Sequence, residues 1–378
     1  MNKILNPLIL LLTALTLLTS CFRNGQGAVR VLDGKDSVIT AARLLSMQRA
    51  DGYTVVTVGN PWKGGVLHQY VLVPADAPLP DGLPDGLPDG TVVRTPVKNA
   101  LVYSSVHTSL LRELHALDAV KGVVDSQYFI DKDIAAGLTN GTIADCGNSM
   151  NPTVERVINM QPDAILLSPY QDASYGQIAT LDIPIIECAD YLEYDPLGRA
   201  EWVKFYGELV GKRDEADSLY NAVVAAYNEV KNKAAAADTR PTVVTEMVIN
   251  GVWNVPGGHS YMARILGDAG AKYLWADDDN TGSLALDFNQ VLAVAQDADY
   301  WFIKWTNINS LKDLQGAFEL NKEMAAFRNK RVYVCDTDKT RFFDRIPFHP
   351  EVLLREFAAI LHPELFDQDE NQFYHHID

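Results

Sequence analysis

Positive charge is in short supply in this chain of 378 residues: 32 Lys and Arg stand against 49 Asp and Glu, a formal net charge of −17. So acidic a surface repels phosphate backbones, and no basic cluster offsets it, so nucleic acid is not expected as a partner. Cysteine is scarce as well. The four present, Cys21, Cys146, Cys188 and Cys335, match neither a CxxC pair nor a zinc-ligand spacing. They read as small buried residues, with a Cys146–Cys188 disulfide as the other reading. The signatures GxSxG, HExxH, GxxxxGKS/T and GxGxxG are all missing. Ser105 and His107 lie close in sequence, but no base-orienting partner is legible beside them. Neither catalysis nor a resident cofactor or metal is expected.

Long apolar runs are confined to the start. Met1–Ser20 carries one positive charge, Lys3, then a Leu-rich stretch ending Leu18-Thr19-Ser20-Cys21. The run is too short and too N-terminal for a transmembrane span. Small residues before a Cys suit a signal peptidase that needs a lipidated thiol. The stretch resembles the bacterial lipoprotein signal, with Cys21 as the acylated first residue; an ordinary signal peptide with an incidental Cys is the alternative. Loss of residues 1–20 removes only Lys3, leaving 31 basic against 49 acidic residues, a net charge of −18. Several acyl chains on Cys21 would give stable anchoring. Phe22–Gly27 then reads as a short tether.

From Ala28 to about Thr95 the pattern is β-like, in Tyr53–Val58, Val66–Val73 and Thr91–Val97, with LPDG three times in a row over Leu79–Gly90. Pro and Gly at that density make a turn-rich, solvated excursion. Beyond it, short apolar strands alternate with helices, the pattern of parallel sheets. Arg213–Ala237 places Ala216, Leu219, Tyr220, Val223, Val224, Tyr227 and Val230 at the 3–4 spacing of one helix face, with no Gly or Pro. Similar phrases flank it: NPTVERVINMQPDAILLSPY (Asn151–Tyr170) upstream and LDFNQVLAVAQDADYWFIKW (Leu286–Trp305) downstream. Each is a short amphipathic helix, a turn bearing Asp (Asp163, Asp299) and a buried strand. The expected fold class is therefore α/β, with two Rossmann-like lobes of parallel sheet bridged by one long helix, plus an N-terminal β extension. The expected boundaries are a signal at 1–20, tether and β extension at 21–95, first lobe at 96–212, bridging helix at 213–237 and second lobe at 238–378.

With these phrases and PGGHSYMARILGDAGA (Pro256–Ala271) in view, the chain over roughly Pro96–Phe366 resembles the class III periplasmic binding proteins of bacterial ABC importers for metal chelates. That resemblance implies a monomer that captures a ferric siderophore, haem or a corrinoid between its lobes. It also implies a permease with its ATPase as partner. The lipid anchor then makes it a periplasm-facing lipoprotein of a Gram-negative-type bacterium, with a surface lipoprotein that scavenges ligand as the alternative; the acidic run that some surface-exported lipoproteins carry after the Cys is missing. In the family, one surface Glu per lobe docks into Arg-containing pockets of the permease. The matching positions are Glu155 and, in the second lobe, Asn289, where the acid is absent and Asp287 is the nearest substitute.

Loops at the carboxyl ends of the strands should line the cleft. The candidates from the first lobe are Ser104, Ser105, His107, Tyr128, Phe129, Tyr170 and Tyr175. The second lobe offers Trp253, His259, Tyr261, Trp305, Arg341, Phe342 and Phe343. Aromatic rings with one or two cations suit a large, flat, partly anionic ligand. Gly257 and Gly258 open a helix whose N–H groups could meet a carboxylate or phosphate.

Overall fold

The computed structural model describes residues 37–50, 52–79, 90–367 and 371–378. The signal, Cys21, the tether and nearly all of the LPDG repeat lie outside the described residues. Strands β1 (Leu45–Ala50), β2 (Tyr53–Gly59), β3 (Val66–Pro74) and β4 (Thr91–Thr95) form a separate sheet in that order. Its first two pairs are antiparallel and β3–β4 is parallel.

The first lobe contains β5 (Ala100–Val102), α1 (Ser105–Glu113), β6 (Val120–Val123), α2 (Lys132–Asn140) and β7 (Ala144–Asp145). A small pair, β8 (Gly147–Asn148) and β9 (Asn151–Pro152), leads into α3 (Val154–Met160), β10 (Ala164–Leu167) and β11 (Ile185–Glu187). Helices α4 (Pro196–Glu201) and α5 (Val203–Val210) close the lobe. The sheet runs β11-β10-β5-β6-β7 and every pair is parallel. Strand β10 is buried along its whole length, as a sheet covered on both faces requires. Its edge strand β11 is capped by the N-terminal sheet: the Tyr70 hydroxyl donates to Ile185 O at 2.9 Å and accepts from Glu187 N at 2.8 Å. One side chain thereby satisfies two edge groups that would otherwise be buried without a partner.

Helix α6 (Arg213–Ala235) leads to the second lobe: β12 (Thr242–Thr245), β13 (Val248–Ile249), β14 (Val252–Pro256), α7 (Tyr261–Asp268), β15 (Lys272–Tyr273) and β16 (Ser283–Leu286). Next come α8 (Phe288–Ala295), β17 (Tyr300–Lys304), α9 (Leu311–Ala317), α10 (Ala325–Arg328), β18 (Val332–Cys335), α11 (Phe342–Arg345), α12 (Pro350–Leu361) and β19 (Tyr374–His376). The sheet order is β15-β12-β17-β18-β19, parallel except for β19. Strands β13, β14 and β16 form a small antiparallel sheet beside it.

The two flanking phrases do the same job in each lobe. Asp163 Oδ2 accepts from Lys98 N at 2.8 Å and Asn99 N at 2.9 Å, just before β5. Asp299 Oδ2 accepts from Thr242 N at 2.8 Å, at the start of β12. Each Asp thus pins the head of the parallel strand beside its own.

The buried face of α6 is shared by two cores: Ala216, Tyr220 and Val223 belong to the first, and Tyr227, Val230 and Ala234 to the second. Its first turns lie so close to α5 that a Cβ on Gly207 would stand 2.4 Å from the Ala216 Cβ. Gly211, at φ +69°, ends α5 in the left-handed conformation. Cys146, Cys188 and Cys335 are buried and free, which overturns the disulfide alternative. Burial pushes the Cys146 and Cys335 thiols up to about 11, so both are thiols, not thiolates, at neutral pH.

A second tie joins the lobes. Phe348 leaves the second lobe and enters the first core, edge-on to Tyr206 with ring centroids 5.8 Å apart. Beside it, Ser105 donates to Asp344 Oδ1 at 2.7 Å, and His349 Nε2 lies 2.6 Å from Glu113 Oε2. Burial lowers the His349 pKa, but Glu113 and Glu351 outweigh it and raise the group from 6.5 to about 9. A raised folded-state value means stability that is complete below about pH 6.5 and lost as pH rises through 9. His349→Gln should therefore lower the melting temperature most at pH 6, by the equivalent of about 2 kcal/mol. The gap should shrink as pH rises through 9. Melting curves of both proteins across this range check it; a gap that stays constant or widens above pH 9 contradicts the ion-pair account.

Candidate functional site

A cavity of about 560 Å3 lies between the lobes. It sits at carboxyl ends of strands, where parallel α/β sheets present their loops. The first lobe contributes residues 191–194, in the turn after β11. The second contributes Glu246 and Met247 after β12, Lys304 and Trp305 at the end of β17, and Ser260–Met262 at the start of α7. Ile249 on β13, Asn254 and Pro256 on β14, and Thr281–Ser283 at β16 complete the wall on that side.

The charged groups here are few and already committed. Lys304 Nζ lies 2.9 Å from Glu246 Oε1, both side chains about a fifth exposed (21% and 22%). Glu193 is buried and accepts from Arg43 N at 2.9 Å, Leu44 N at 2.8 Å and Trp202 Nε1 at 3.2 Å. Burial outweighs these donors and pushes Glu193 up to about 7. The remainder is aromatic, aliphatic or neutral polar. Trp305 and Tyr191 are both exposed, and the Tyr191 hydroxyl donates to Pro169 O.

The structure scatters the residues expected to line one cleft. Tyr261 and Trp305 face this cavity. Ser104, Tyr170 and Tyr175 line a second cavity of about 340 Å3 on the first lobe, with Tyr170 edge-on to Tyr175 at 6.3 Å. Ser104 also caps α1 by accepting from Val106 N. Ser105 faces Asp344, and Tyr128, His259 and Phe343 lie away from either cavity's lining. Phe129 and Phe342 are buried in the cores of their lobes. Trp253 corrects the sequence reading outright. It is fully buried, stacked on Trp301 at 5.4 Å, and donates to Thr245 O at 2.8 Å.

Two further expectations change. Arg341 is no free cation, since its Nε pairs with Asp344 Oδ2 at 3.2 Å. Nor are the amides of the glycine turn free: Gly257 N donates to Gly282 O at 2.7 Å and His259 N to Asn280 O at 3.1 Å. His107 has a carboxylate neighbour after all, with Nε2 3.0 Å from Asp190 Oδ1. Tyr206 donates to the same oxygen at 2.8 Å. Burial works against the Asp190 carboxylate, yet His107, Arg199 and Tyr206 leave it below its ordinary value. With Ser105 turned to Asp344, this is a buried polar knot and not a nucleophile with its base.

Sequence reasoning missed Glu246, Lys304 and the turn at Tyr191–Tyr194. A signal existed for the first two: each is a charged residue at the end of an otherwise apolar buried strand (TVVTE, YWFIK). On the outer surface, Glu155 is exposed at the second position of α3, and Asn289 is exposed at the second position of α8. Asp287 is the N-cap of α8, its Oδ1 accepting from Gln290 N at 2.9 Å while Gln290 Oε1 accepts from Asp287 N at 2.8 Å.

The model of the family described as "Periplasmic binding protein" matches residues 101–339. An uncharacterized lipoprotein of Methanocaldococcus jannaschii is 29% identical over 287 residues, covering 72% of this chain and 67% of its own. Among solved structures, a possible iron-binding (periplasmic solute-binding) protein of Staphylococcus epidermidis superposes with a TM-score of 0.56 at 17% identity, over 71% of this chain and all of its own. The periplasmic vitamin B12 binding protein of Vibrio cholerae reaches 0.53 at 11% identity, over 71% of this chain and 98% of its own. At such identities these two structures establish a common fold.

Proposed function

The chain belongs to the periplasmic binding protein family, and on that premise we propose that it is the lipid-anchored substrate-binding subunit of an ABC importer, holding an iron chelate between its lobes for delivery to the permease and its ATPase. The observation that carries this reading is the interlobe cavity of about 560 Å3, walled by Trp305, Tyr191 and Tyr194. Its size, its aromatic walls and, among the described residues that line it, the lack of an uncommitted Lys or Arg suit a chelate. A solute such as an amino acid or sugar needs a tight polar pocket with many charged or amide groups. A corrinoid is the second reading, since it is also large and flat-faced, and a cobalamin binder shares the fold.

The lipid anchor rests on the Leu18-Thr19-Ser20-Cys21 box, and the Methanocaldococcus relative is itself named a lipoprotein. That relative is archaeal, so a Gram-negative periplasm draws no support from it. Permease docking through Glu155 rests on its exposure on α3, at the helix position that Asn289 occupies on α8.

Three outcomes check the proposal. In titrations with ferric siderophores, haem and cobalamin under identical conditions, an iron chelate should bind tightest. Cobalamin alone would move the assignment to a corrinoid, and a monosaccharide or amino acid in place of all three would remove the chelate reading. Cys21→Ser should leave the protein soluble after a salt wash of membranes; continued membrane association would refute the anchor. Glu155→Ala should cut uptake by roughly tenfold or more, as loss of an interfacial charge pair does, at unchanged ligand affinity. Weakened ligand binding would place Glu155 in another role.

A further inference from the structure

The geometry points to an uncharged chelate as the ligand of the interlobe cavity, one in which the metal's charge and the ligand's anionic donors cancel, and to rejection of polyanionic complexes. This rests on the chelate reading above and narrows it. An anionic ligand needs a cation or a set of unspent N–H donors at the place where it sits. Among the described residues that line the cavity, Lys304 is the one Lys or Arg, and its ammonium already lies 2.9 Å from Glu246 Oε1. Diverting Lys304 to a ligand would strand the Glu246 carboxylate in a half-buried wall, which costs more than the new contact returns.

Among the described residues no second Lys or Arg lines the cavity, and Arg199, 5.7 Å from the Tyr261 ring centroid, is paired with Asp190 at 3.4 Å. The Gly257 and His259 amides donate to carbonyls of the 280–282 loop, as described above. Arg341 is paired with Asp344, and Arg43, 4.4 Å from the Tyr194 ring centroid, is not among the residues facing the cavity. Glu193 in the same wall is an acid and offers an anion no partner. At longer range the net charge of −17 repels anions approaching the cleft. What the walls do offer is neutral: the Asn254 amide, the Thr281 and Ser283 hydroxyls, and the apolar surfaces of Trp305, Met247 and Met262. Amide and hydroxyl groups can meet the carbonyl-type oxygens of a neutral complex without breaking the Lys304–Glu246 pair.

The test uses the full-length chain in detergent micelles, titrated at one pH while tryptophan emission is followed. The probes are a neutral ferric trihydroxamate, a trianionic ferric tricatecholate, and haem with its ionised propionates. The neutral complex should bind with a Kd roughly tenfold or more below either anion. Residual anion binding should strengthen as salt rises, because salt screens a repulsion. Glu246→Gln, which releases Lys304, should narrow the gap by roughly tenfold; should that variant fold poorly, the salt series on the unaltered chain still distinguishes repulsion from attraction. Anion binding as tight as the neutral probe's, or anion binding weakened by salt, overturns the inference and leaves the chelate reading in place. Failure of all three probes to bind overturns both.

Discussion

Everything in this molecule hangs from one helix whose single buried face serves two cores. Between Arg213 and Ala235 there is no Gly or Pro to bend. Ala216, Tyr220 and Val223 are packed into the first lobe, and Tyr227, Val230 and Ala234 into the second. The helix therefore fixes both the spacing and the rotation of the lobes. Phe348, inserted into the first core beside Tyr206, adds a second fastening close to the first. Two sheets so mounted bring carboxyl ends of β11, β12 and β17 to one cavity. A large hinge closure would need one of these fastenings to break.

Buried carboxylates attach the peripheral segments to this frame. Glu201, fully buried, accepts from the backbone N–H groups of Thr40, Ala41 and Ala42, and Glu193 accepts from those of Arg43 and Leu44. Glu356 does the same for Phe373 and Tyr374 at the head of β19. In each case a run of backbone donors with no strand partner is satisfied by one side chain from a distant helix or turn. Burial nonetheless pushes Glu193 and Glu356 up to about 7. Both groups therefore favour the folded state more at mildly acidic pH than above neutrality. For Glu193 this attachment also forms part of the interlobe cavity, so the N-terminal segment and the proposed binding site share a residue.

The cavity's chemistry follows from the frame more than from any local motif. Parallel pairing of β12 with β17 sets Thr245 against Phe302, and Glu246, one residue on, reaches Lys304, two residues on, at 2.9 Å. Once paired, these two charges neutralise each other, and the wall they occupy becomes a polar but uncharged surface. Aromatic and thioether groups around it provide broad, adaptable contact.

The sequence by itself determined the elements and their repetition. Periodicity alone located α6, apolar runs located the buried strands, and the paired phrases bearing Asp163 and Asp299 in their turns announced two lobes. These signals are local: a helix face repeats within a few residues, and an Asp before a buried strand has a short list of uses. What the tertiary structure alone decided was which of the chemically attractive side chains share a site. Trp253 and Trp305 look alike in sequence, but the alternation of β14 turns Trp253 into the core and leaves its neighbour Asn254 for the cavity. Arg341 reads as a free cation until α11 folds and places Asp344 against it. Glu246 and Lys304 stand 58 residues apart, and only the sheet register makes them a pair. Burial and partnership are properties of packing across the chain, and no stretch of sequence carries them alone.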